Sequence, residues 1–163
     1  ELKPDRRDRV TSRASLLESV AQWKARGRRV VLTNGCFDLF HAGHVSLLTE
    51  AARLGDVLVV GLNTDDSVRQ LKGTDRPVHL WNDRSSLLAA LECVDGVVPL
   101  PEFTAHELIR EVRPDVYVKG GDYQREELVE IDLLDDLGIP VHLAAVVPGV
   151  STTGLARRLR EQA

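Results

Sequence analysis

The sequence predicts an α/β fold: a Rossmann-like, doubly wound sheet of five parallel strands in the order 3-2-1-4-5, with helices on both faces. Three observations predict it. Short apolar runs alternate with helical patterns along the chain, which is typical of βαβ units. The runs are continuously apolar, as strands buried on both faces are. Polar segments containing glycine, serine or histidine follow strands one, four and five, at the edge where such sheets bind ligands.

Each strand is predicted from an apolar run bounded by turn residues. The predicted strands are "RVVLT" (29–33), "DVLVVGL" (56–62), "GVVPL" (96–100), "DVYVKG" (115–120) and "PVHLAAVV" (140–147). The predicted helices span about 13–26, 43–55, 64–71, 83–94, 104–112 and 126–137, with a last helix starting near Ser151. The acidic helix over 126–137 is expected to carry a solvated face.

Side chains that accept hydrogen bonds mark where several of these helices begin. Thr11 or Ser12 can cap the first helix, and Thr64 can cap the third. Thr104 and Glu107 have the T-x-x-E spacing of a capping box, which predicts that a helix starts there.

Length, charge and cysteine content bound the class of protein. The 163 residues suit one domain, predicted over 13–163 after a charged tail or linker remnant over 1–12. A net charge of -4 gives no reason to expect a nucleic-acid partner. No apolar run has the length of a membrane span. Cys36 and Cys93 make no disulfide framework, so a reducing, cytoplasmic location is expected.

The segment "TNGCFDLFHAGH" follows the first strand and combines a glycine turn with two histidines. Gly35 lets the backbone turn and approach a ligand closely. His41 and His44 are three residues apart at the start of a helix, so both can lie on one side of its first turn. A helix N-terminus favours phosphate. Asp38 could position Mg²⁺ or a ribose hydroxyl, or simply accept hydrogen bonds within the turn.

Other interpretations of this segment stay open at this point. Cys36, His41 and His44 could be zinc ligands, although no CxxC pair or third histidine lies nearby. Cys36 could be a nucleophile with a histidine as its base. The two histidines could also be structural.

The motifs resemble those of a known superfamily. "GCFDLFHAGH" matches the G-x-F-D-x-x-H-x-G-H signature of the cytidylyltransferase-like nucleotidyltransferases, and "VSTTGLAR" resembles their second signature. "LKGTDRPV", "ALECVDGVV" and "PDVYVKGGDY" resemble the members that adenylylate D-glycero-β-D-manno-heptose 1-phosphate. The resemblance covers about residues 13–160 and weakens over about 124–150.

The resemblance implies an enzyme that transfers AMP from ATP to a sugar 1-phosphate and releases pyrophosphate. It implies that His41 and His44 contact the triphosphate, that Lys72 brings a cation to the reacting phosphates, and that Mg²⁺ accompanies ATP. It also implies a possible homodimer, and a sugar kinase fused to this domain or working with it. A cytidylyltransferase acting on glycerol 3-phosphate, or a catalytically silent nucleotide sensor, are the alternatives.

The candidate site residues form three sets. The expected catalytic residues are His41, His44 and Lys72. The expected nucleotide-binding residues are Asn34, Gly35, Cys36, Phe37, Asp38, His41, Gly43, His44, Lys119, Gly120, Gly121, Asp122, Ser151, Thr152 and Thr153. The expected substrate-binding residues are Asn63, Asp65, Lys72, Arg76 and Arg84, and Asp38 is a weak candidate ligand for Mg²⁺.

Overall fold

The computed structural model describes residues 6–121 and 124–145, together with residues 147, 154 and 157. Its strands are Val30–Gly35 (β1), Val57–Asn63 (β2), Gly96–Leu100 (β3), Val116–Gly120 (β4) and Val141–Ala144 (β5). Its α-helices are Arg13–Ala25 (α1), Ala42–Ala52 (α2), Asp65–Lys72 (α3), Trp81–Ala90 (α4), His106–Val112 (α5) and Ile131–Asp136 (α6). Within the described residues no helix has both the length and the apolar character needed to cross a membrane.

The five strands form one parallel sheet in the order β3-β2-β1-β4-β5, which confirms the predicted topology. The order reverses between β1 and β4, because the chain moves outward in one direction from β1 to β3 and then returns to the other side of β1. Ligands bind such sheets at that reversal, beyond the carboxyl ends of the strands. The fold therefore places the loops after β1 and β4 side by side.

Alternate residues of the strands enter two separate cores, one on each face of the sheet. Val30 and Leu32 of β1 belong to a cluster with buried residues of α1, α5 and α6, whereas Val31 belongs to a cluster with residues of α2 and α4. This period-two alternation fixes the register of β1, because a slip by one residue would exchange the two faces. Helices on both faces confirm the doubly wound arrangement.

Two predicted caps are confirmed and one capping box is wrong. Ser12 accepts a hydrogen bond from the Ser15 amide, and Thr64 accepts one from the Ser67 amide. α5 instead begins after Ala105, without a side-chain cap, and the Thr104 hydroxyl lies 2.7 Å from the ring of His106. The Thr104 hydroxyl is engaged with a neighbouring ring, so the T-x-x-E spacing does not produce a box here.

The acidic segment differs from the predicted continuous helix. It consists of a 3-10 turn, Arg125–Glu127, followed by the short α6, with Glu130 between them. Glu130 is 1% exposed, so this carboxylate faces the interior rather than solvent. The strand predicted over 140–147 is also shorter than expected, since β5 ends at Ala144.

The end of the predicted N-terminal tail is attached to the sheet. Val10 forms a parallel bridge with Val97 of β3, and the Thr11 amide donates to the Val97 carbonyl. The Arg9 guanidinium donates to the carbonyls of Leu91 and Val94. Residues 9–11 thus cover the outer edge of β3, while the boundary at residue 13 stays a prediction.

Candidate active site

The loop between β1 and α2 has a strained backbone. Phe37 and Leu39 both have positive φ angles, 47° and 48°, which residues with a side chain rarely adopt. Each such residue costs on the order of 1–3 kcal/mol, and strain of this kind persists where surrounding contacts impose it. The ring of Phe37 is buried in the core beneath the loop, and Asp38 between the two strained residues is 2% exposed. The sheet and the neighbouring loops therefore hold this segment in one shape.

His41 and His44 cap α2 reciprocally. The Gly43 amide donates to Nδ1 of His41 at 3.1 Å, and the His41 amide donates to Nδ1 of His44 at 3.3 Å. Because each Nδ1 accepts a hydrogen bond, each neutral ring carries its proton on Nε2. The two rings stack with centroids 3.8 Å apart and an interplanar angle of 19°. Each ring therefore keeps an Nε2–H group that can donate to a ligand at the helix start.

This arrangement changes how the helix start could bind phosphate. The amides of Gly43 and His44 already donate within the first turn, to Nδ1 and to the carbonyl of His41. The imidazoles therefore replace these two amides as donors toward an anion, while the helix dipole still favours negative charge there.

Burial keeps the histidines neutral. Burial lowers the pKa of His44 to about 4, and the neighbouring His41 and Lys72 contribute to the same shift. Burial also lowers the pKa of His41. The ring centroid of His44 lies 5.2 Å from that of Phe37 and 5.3 Å from that of Phe40. At neutral pH the pair therefore acts as hydrogen-bond donors rather than as cations.

Lys72 supplies a positive charge near this pair. It is the last residue of α3 and is exposed, and its charge lowers the pKa values of His44 and Cys36. Burial dominates at Cys36, however, and raises the pKa of its thiol. The Cys36 Sγ lies 3.9 Å from Oδ1 of Asn63, and no base is positioned to take its proton among these contacts. The geometry gives no support to a cysteine nucleophile.

No zinc site forms among the described residues either. They contain no group of three His, Cys, Asp or Glu side chains placed to hold a metal ion. The Nδ1 atoms of both histidines are also engaged by backbone amides.

The structure gives Asp38 a different role from the predicted magnesium ligand. Its Oδ1 accepts from the amides of Leu39 and His79, and its Oδ2 accepts from the Val78 amide and from Nε of Arg76 at 2.6 Å. Burial alone would raise the pKa of Asp38, but the His79 and Val78 amides and the Arg76 guanidinium lower it overall. These four donors fill the acceptor positions of a carboxylate. Asp38 therefore connects the loop after β1 to the loop at 76–79 through hydrogen bonds.

Arg84 also differs from its predicted role as a ligand of the sugar phosphate. Its side chain is fully buried, with 0% exposure. Nη1 donates to the carbonyls of Cys36 and Asn63 at 2.7 and 2.8 Å, and Nε donates to the carbonyl of His79. Nη2 pairs with Oδ1 of Asp65 at 2.6 Å. Arg84 thus joins the loops after β1 and β2 to the segment before α4, and it is not placed to meet a substrate.

The remaining predicted substrate residues divide by exposure. Asn63 is 3% exposed, and its Nδ2 donates to the Ser67 hydroxyl at 2.9 Å. Its contact with a sugar stays a prediction. Asp65 is 25% exposed and pairs with Arg84, and Arg76 is largely buried against Asp38. Of the five predicted substrate residues, Lys72 is the one classed as exposed.

The strand ends of β1 and β4 bring Asn34 and Lys119 together. Nζ of Lys119 lies 3.4 Å from Oδ1 of Asn34. A Cβ at Gly120 would meet Cδ2 of Leu47 in α2 at 2.7 Å, so a larger residue here would displace the Leu47 side chain. Gly121 has a φ of 137°, which only glycine adopts readily. The predicted residues Asp122, Ser151, Thr152 and Thr153 lie outside the described residues.

Sequence reasoning missed two residues beside this site. Tyr117 donates its hydroxyl to Oδ1 of Asn34 at 2.6 Å, and Glu130 lies 3.7 Å from Nζ of Lys119. The tyrosine stands in an apolar strand pattern, and the glutamate stands in an acidic run. Neither position carried a signal that could have revealed its partner.

Comparison with known proteins gives long, specific matches. The chain is 47% identical over 153 residues to the Bifunctional protein HldE of Wolinella succinogenes, covering 94% of this chain and 31% of that protein. It is 48% identical over 155 residues to the protein of the same name from Magnetococcus marinus, covering 95% of this chain and 32% of that protein. The chain therefore spans about a third of the length of these relatives.

A solved structure and a family model agree with these matches. The structure is the lipopolysaccharide core biosynthesis protein from Thermoplasma volcanium GSS1, with a TM-score of 0.63 and 28% identity, covering 74% of this chain and 99% of that one. The model named Cytidylyltransferase-like matches residues 32–154, which begin within β1. On the histidine pair, the sheet order and these matches, the chain belongs to the cytidylyltransferase-like family.

Proposed function

We propose that the chain transfers AMP from ATP to a sugar 1-phosphate, with D-glycero-β-D-manno-heptose 1-phosphate as the leading substrate. The observation that carries the proposal is the reciprocal cap of His41 and His44, which leaves two neutral Nε2–H donors at a helix N-terminus. Donors of this kind, fixed before the substrate arrives, suit a reaction whose charge develops on phosphate oxygens.

The reaction needs no covalent intermediate. A phosphate oxygen of the sugar phosphate attacks the α-phosphorus of ATP in line, and pyrophosphate leaves with the electron pair of the broken bond. Catalysis then consists of positioning and charge stabilisation. His41 and His44 would donate to the triphosphate, and Lys72 would place its flexible ammonium near the leaving pyrophosphate. Cys36, with its raised pKa, stays a neutral thiol beside the reacting groups.

Mg²⁺ is part of the proposal only as a companion of ATP. The described residues do not form a ready cation site, because they contain no suitable three-ligand group and the Asp38 oxygens are occupied by four donors. Bound Mg²⁺ would neutralise charge on the ATP phosphates, whose oxygens would serve among its ligands together with water.

The sugar and the partners follow from the resemblance and from the relatives. The motif "VKGGDY" at the end of strand four and the high identity to proteins named bifunctional favour the ADP-heptose branch of the family. Because this chain matches only about a third of those proteins, a sugar kinase fused to it or working with it is proposed as the source of the sugar 1-phosphate. A homodimer and a cytoplasmic location are proposed with it.

Pyrophosphate release tests the proposal. The protein is incubated with ATP or CTP against heptose 1-phosphate or glycerol 3-phosphate, in the presence of Mg²⁺. We expect release with ATP and heptose 1-phosphate, and formation of ADP-heptose by mass spectrometry. Release only with CTP would overturn the adenylyltransferase assignment. ATP binding without turnover of either phosphate would favour a nucleotide sensor instead.

A further inference from the structure

A buried carboxylate, that of Glu130, lies near the end of β4. The proposed reaction assigns it no role. Glu130 is 1% exposed. Its Oε1 accepts from the Ala105 amide at 3.2 Å and lies 3.7 Å from Nζ of Lys119. Its Oε2 is buried and makes no hydrogen bond of good geometry in the described part of the chain, although the carboxylate also lies beside the Tyr117 hydroxyl. Burying an ionised carboxylate costs several kcal/mol unless it is paired, so packing alone does not account for a glutamate here.

The partner of Glu130 is itself linked to the end of β1. Lys119 lies between the carboxylate, at 3.7 Å, and Oδ1 of Asn34, at 3.4 Å. The Tyr117 hydroxyl donates to the same Oδ1 at 2.6 Å. Two donors on one amide oxygen fix which end of the Asn34 amide faces Tyr117 and Lys119, and they leave its Nδ2 as the donor end. The Lys119 side chain thus links the carboxyl ends of β1 and β4, the strands on either side of the topological switch.

We infer that Glu130 is a positioning residue of the nucleotide site: it holds the Lys119 ammonium against Asn34 and so fixes both side chains before a nucleotide binds. The inference rests on the proposed function, since it takes Lys119 and Asn34 as contacts of ATP. Glu130 itself is buried and touches no substrate in this arrangement. Burial raises the pKa of Tyr117 well above its usual value, and the charge of Glu130 and a hydrogen-bond contact between the two side chains add to this shift.

Holding Lys119 in place should affect the affinity for ATP more than the rate of the reaction. A lysine side chain has four rotatable bonds, and holding it in one place costs conformational entropy. When a fixed partner orders the side chain in the free protein, the nucleotide does not have to supply that cost on binding. Without the carboxylate, the ammonium is free to leave Asn34, so affinity for ATP should fall while the bound complex reacts at a similar rate.

The variant Glu130→Gln tests this inference. It keeps the volume and an acceptor for the Ala105 amide, and removes the charge that faces Lys119. The matched control is Glu126→Gln, which removes an exposed charge from the same segment. We expect Glu130→Gln to raise the Kd and KM for ATP about tenfold with kcat within about threefold of the wild type. Glu126→Gln should change neither constant by more than about twofold.

A double-mutant cycle shows whether the effect passes through the lysine. Lys119→Met should raise the Kd for ATP by a similar factor, and Glu130→Gln should add little in that background. Glu130→Asp, which keeps the charge on a shorter stem, should recover part of the affinity, and it carries the test if Glu130→Gln does not fold. An unchanged or tighter Kd in Glu130→Gln, or an equal effect in the Lys119→Met background, would overturn the inference.

The readouts separate this inference from the proposed function. Calorimetric titration with ATP measures the Kd without turnover, so the role of Glu130 is tested even if no sugar phosphate reacts. A purely structural role predicts a lower Tm in Glu130→Gln with a proportional loss of active protein and no change in Kd. A raised Kd at an unchanged Tm supports positioning.

Discussion

Replacing the buried guanidinium of Arg84 should destabilise the fold rather than weaken substrate binding. In Arg84→Met, the carbonyls of Cys36 and Asn63 lose donors at 2.7 and 2.8 Å, and the Asp65 carboxylate loses its partner at 2.6 Å. An orphaned buried polar group costs about 1–3 kcal/mol, and breaking a buried ion pair costs about 3–5 kcal/mol. Asp65 is 25% exposed, so water recovers part of the loss.

We therefore expect the free energy of unfolding to fall by about 3–5 kcal/mol, a large share of the roughly 5–15 kcal/mol that a domain usually has. Urea unfolding followed by far-ultraviolet circular dichroism measures it. The control Arg110→Met breaks an exposed pair with Glu107 and should cost less than about 1 kcal/mol. If Arg84→Met keeps its midpoint but has a raised KM for the sugar phosphate, Arg84 is a substrate ligand and the structural reasoning fails.

Three further outcomes follow from the site. His44→Ala should lower kcat on the order of 100-fold, which is the scale of losing one fixed hydrogen-bond donor. The control His142→Ala removes a pair with Glu50 away from the site and should leave kcat unchanged. Equal kcat values in the two variants would show that His44 has no part in the mechanism. Asp38→Asn should lower the free energy of unfolding by about 2–4 kcal/mol, because the NH₂ group of the new amide would face N–H donors that now bind a carboxylate oxygen. An unchanged urea midpoint would contradict this. The pKa of His44 is about 4 when folded, below its usual 6.5, so the unfolded chain takes up the proton first as pH falls. The free energy of unfolding should therefore decline from about pH 6.5 toward pH 4, by up to about 1.4 kcal/mol per pH unit. His44→Ala should show a smaller decline. Identical slopes of the free energy of unfolding against pH in the two proteins would count against a neutral buried ring.

The sequence predicted the architecture and the location of the site because both depend on local patterns. Apolar runs of strand length, separated by helical segments, allow few arrangements other than a doubly wound sheet. The histidine spacing after β1 predicted a pair at a helix start, and the structure places the pair there. The roles of individual polar side chains depend instead on what the fold brings near them.

Arg84 and Glu130 are two polar side chains whose roles depend on the fold and not on local sequence patterns. Arg84 was expected to bind the substrate, and Glu130 was expected on a solvated helix face, because charged residues in acidic segments usually remain solvated. Each is buried because residues distant in sequence surround it: Arg84 meets Cys36 and Asn63, and Glu130 meets Ala105 and Lys119. Such pairings depend on long-range packing, which single-residue preferences do not encode.

The sequence by itself determined the family, the order of the strands and the loop that holds the two histidines. Only the tertiary structure decided which charged groups face a ligand and which hold loops together, as Asp38 does through its four donors. The physical reason is that a charge can be buried only where partners from other segments compensate its lost hydration. Those partners are set by the fold, not by the neighbours along the chain.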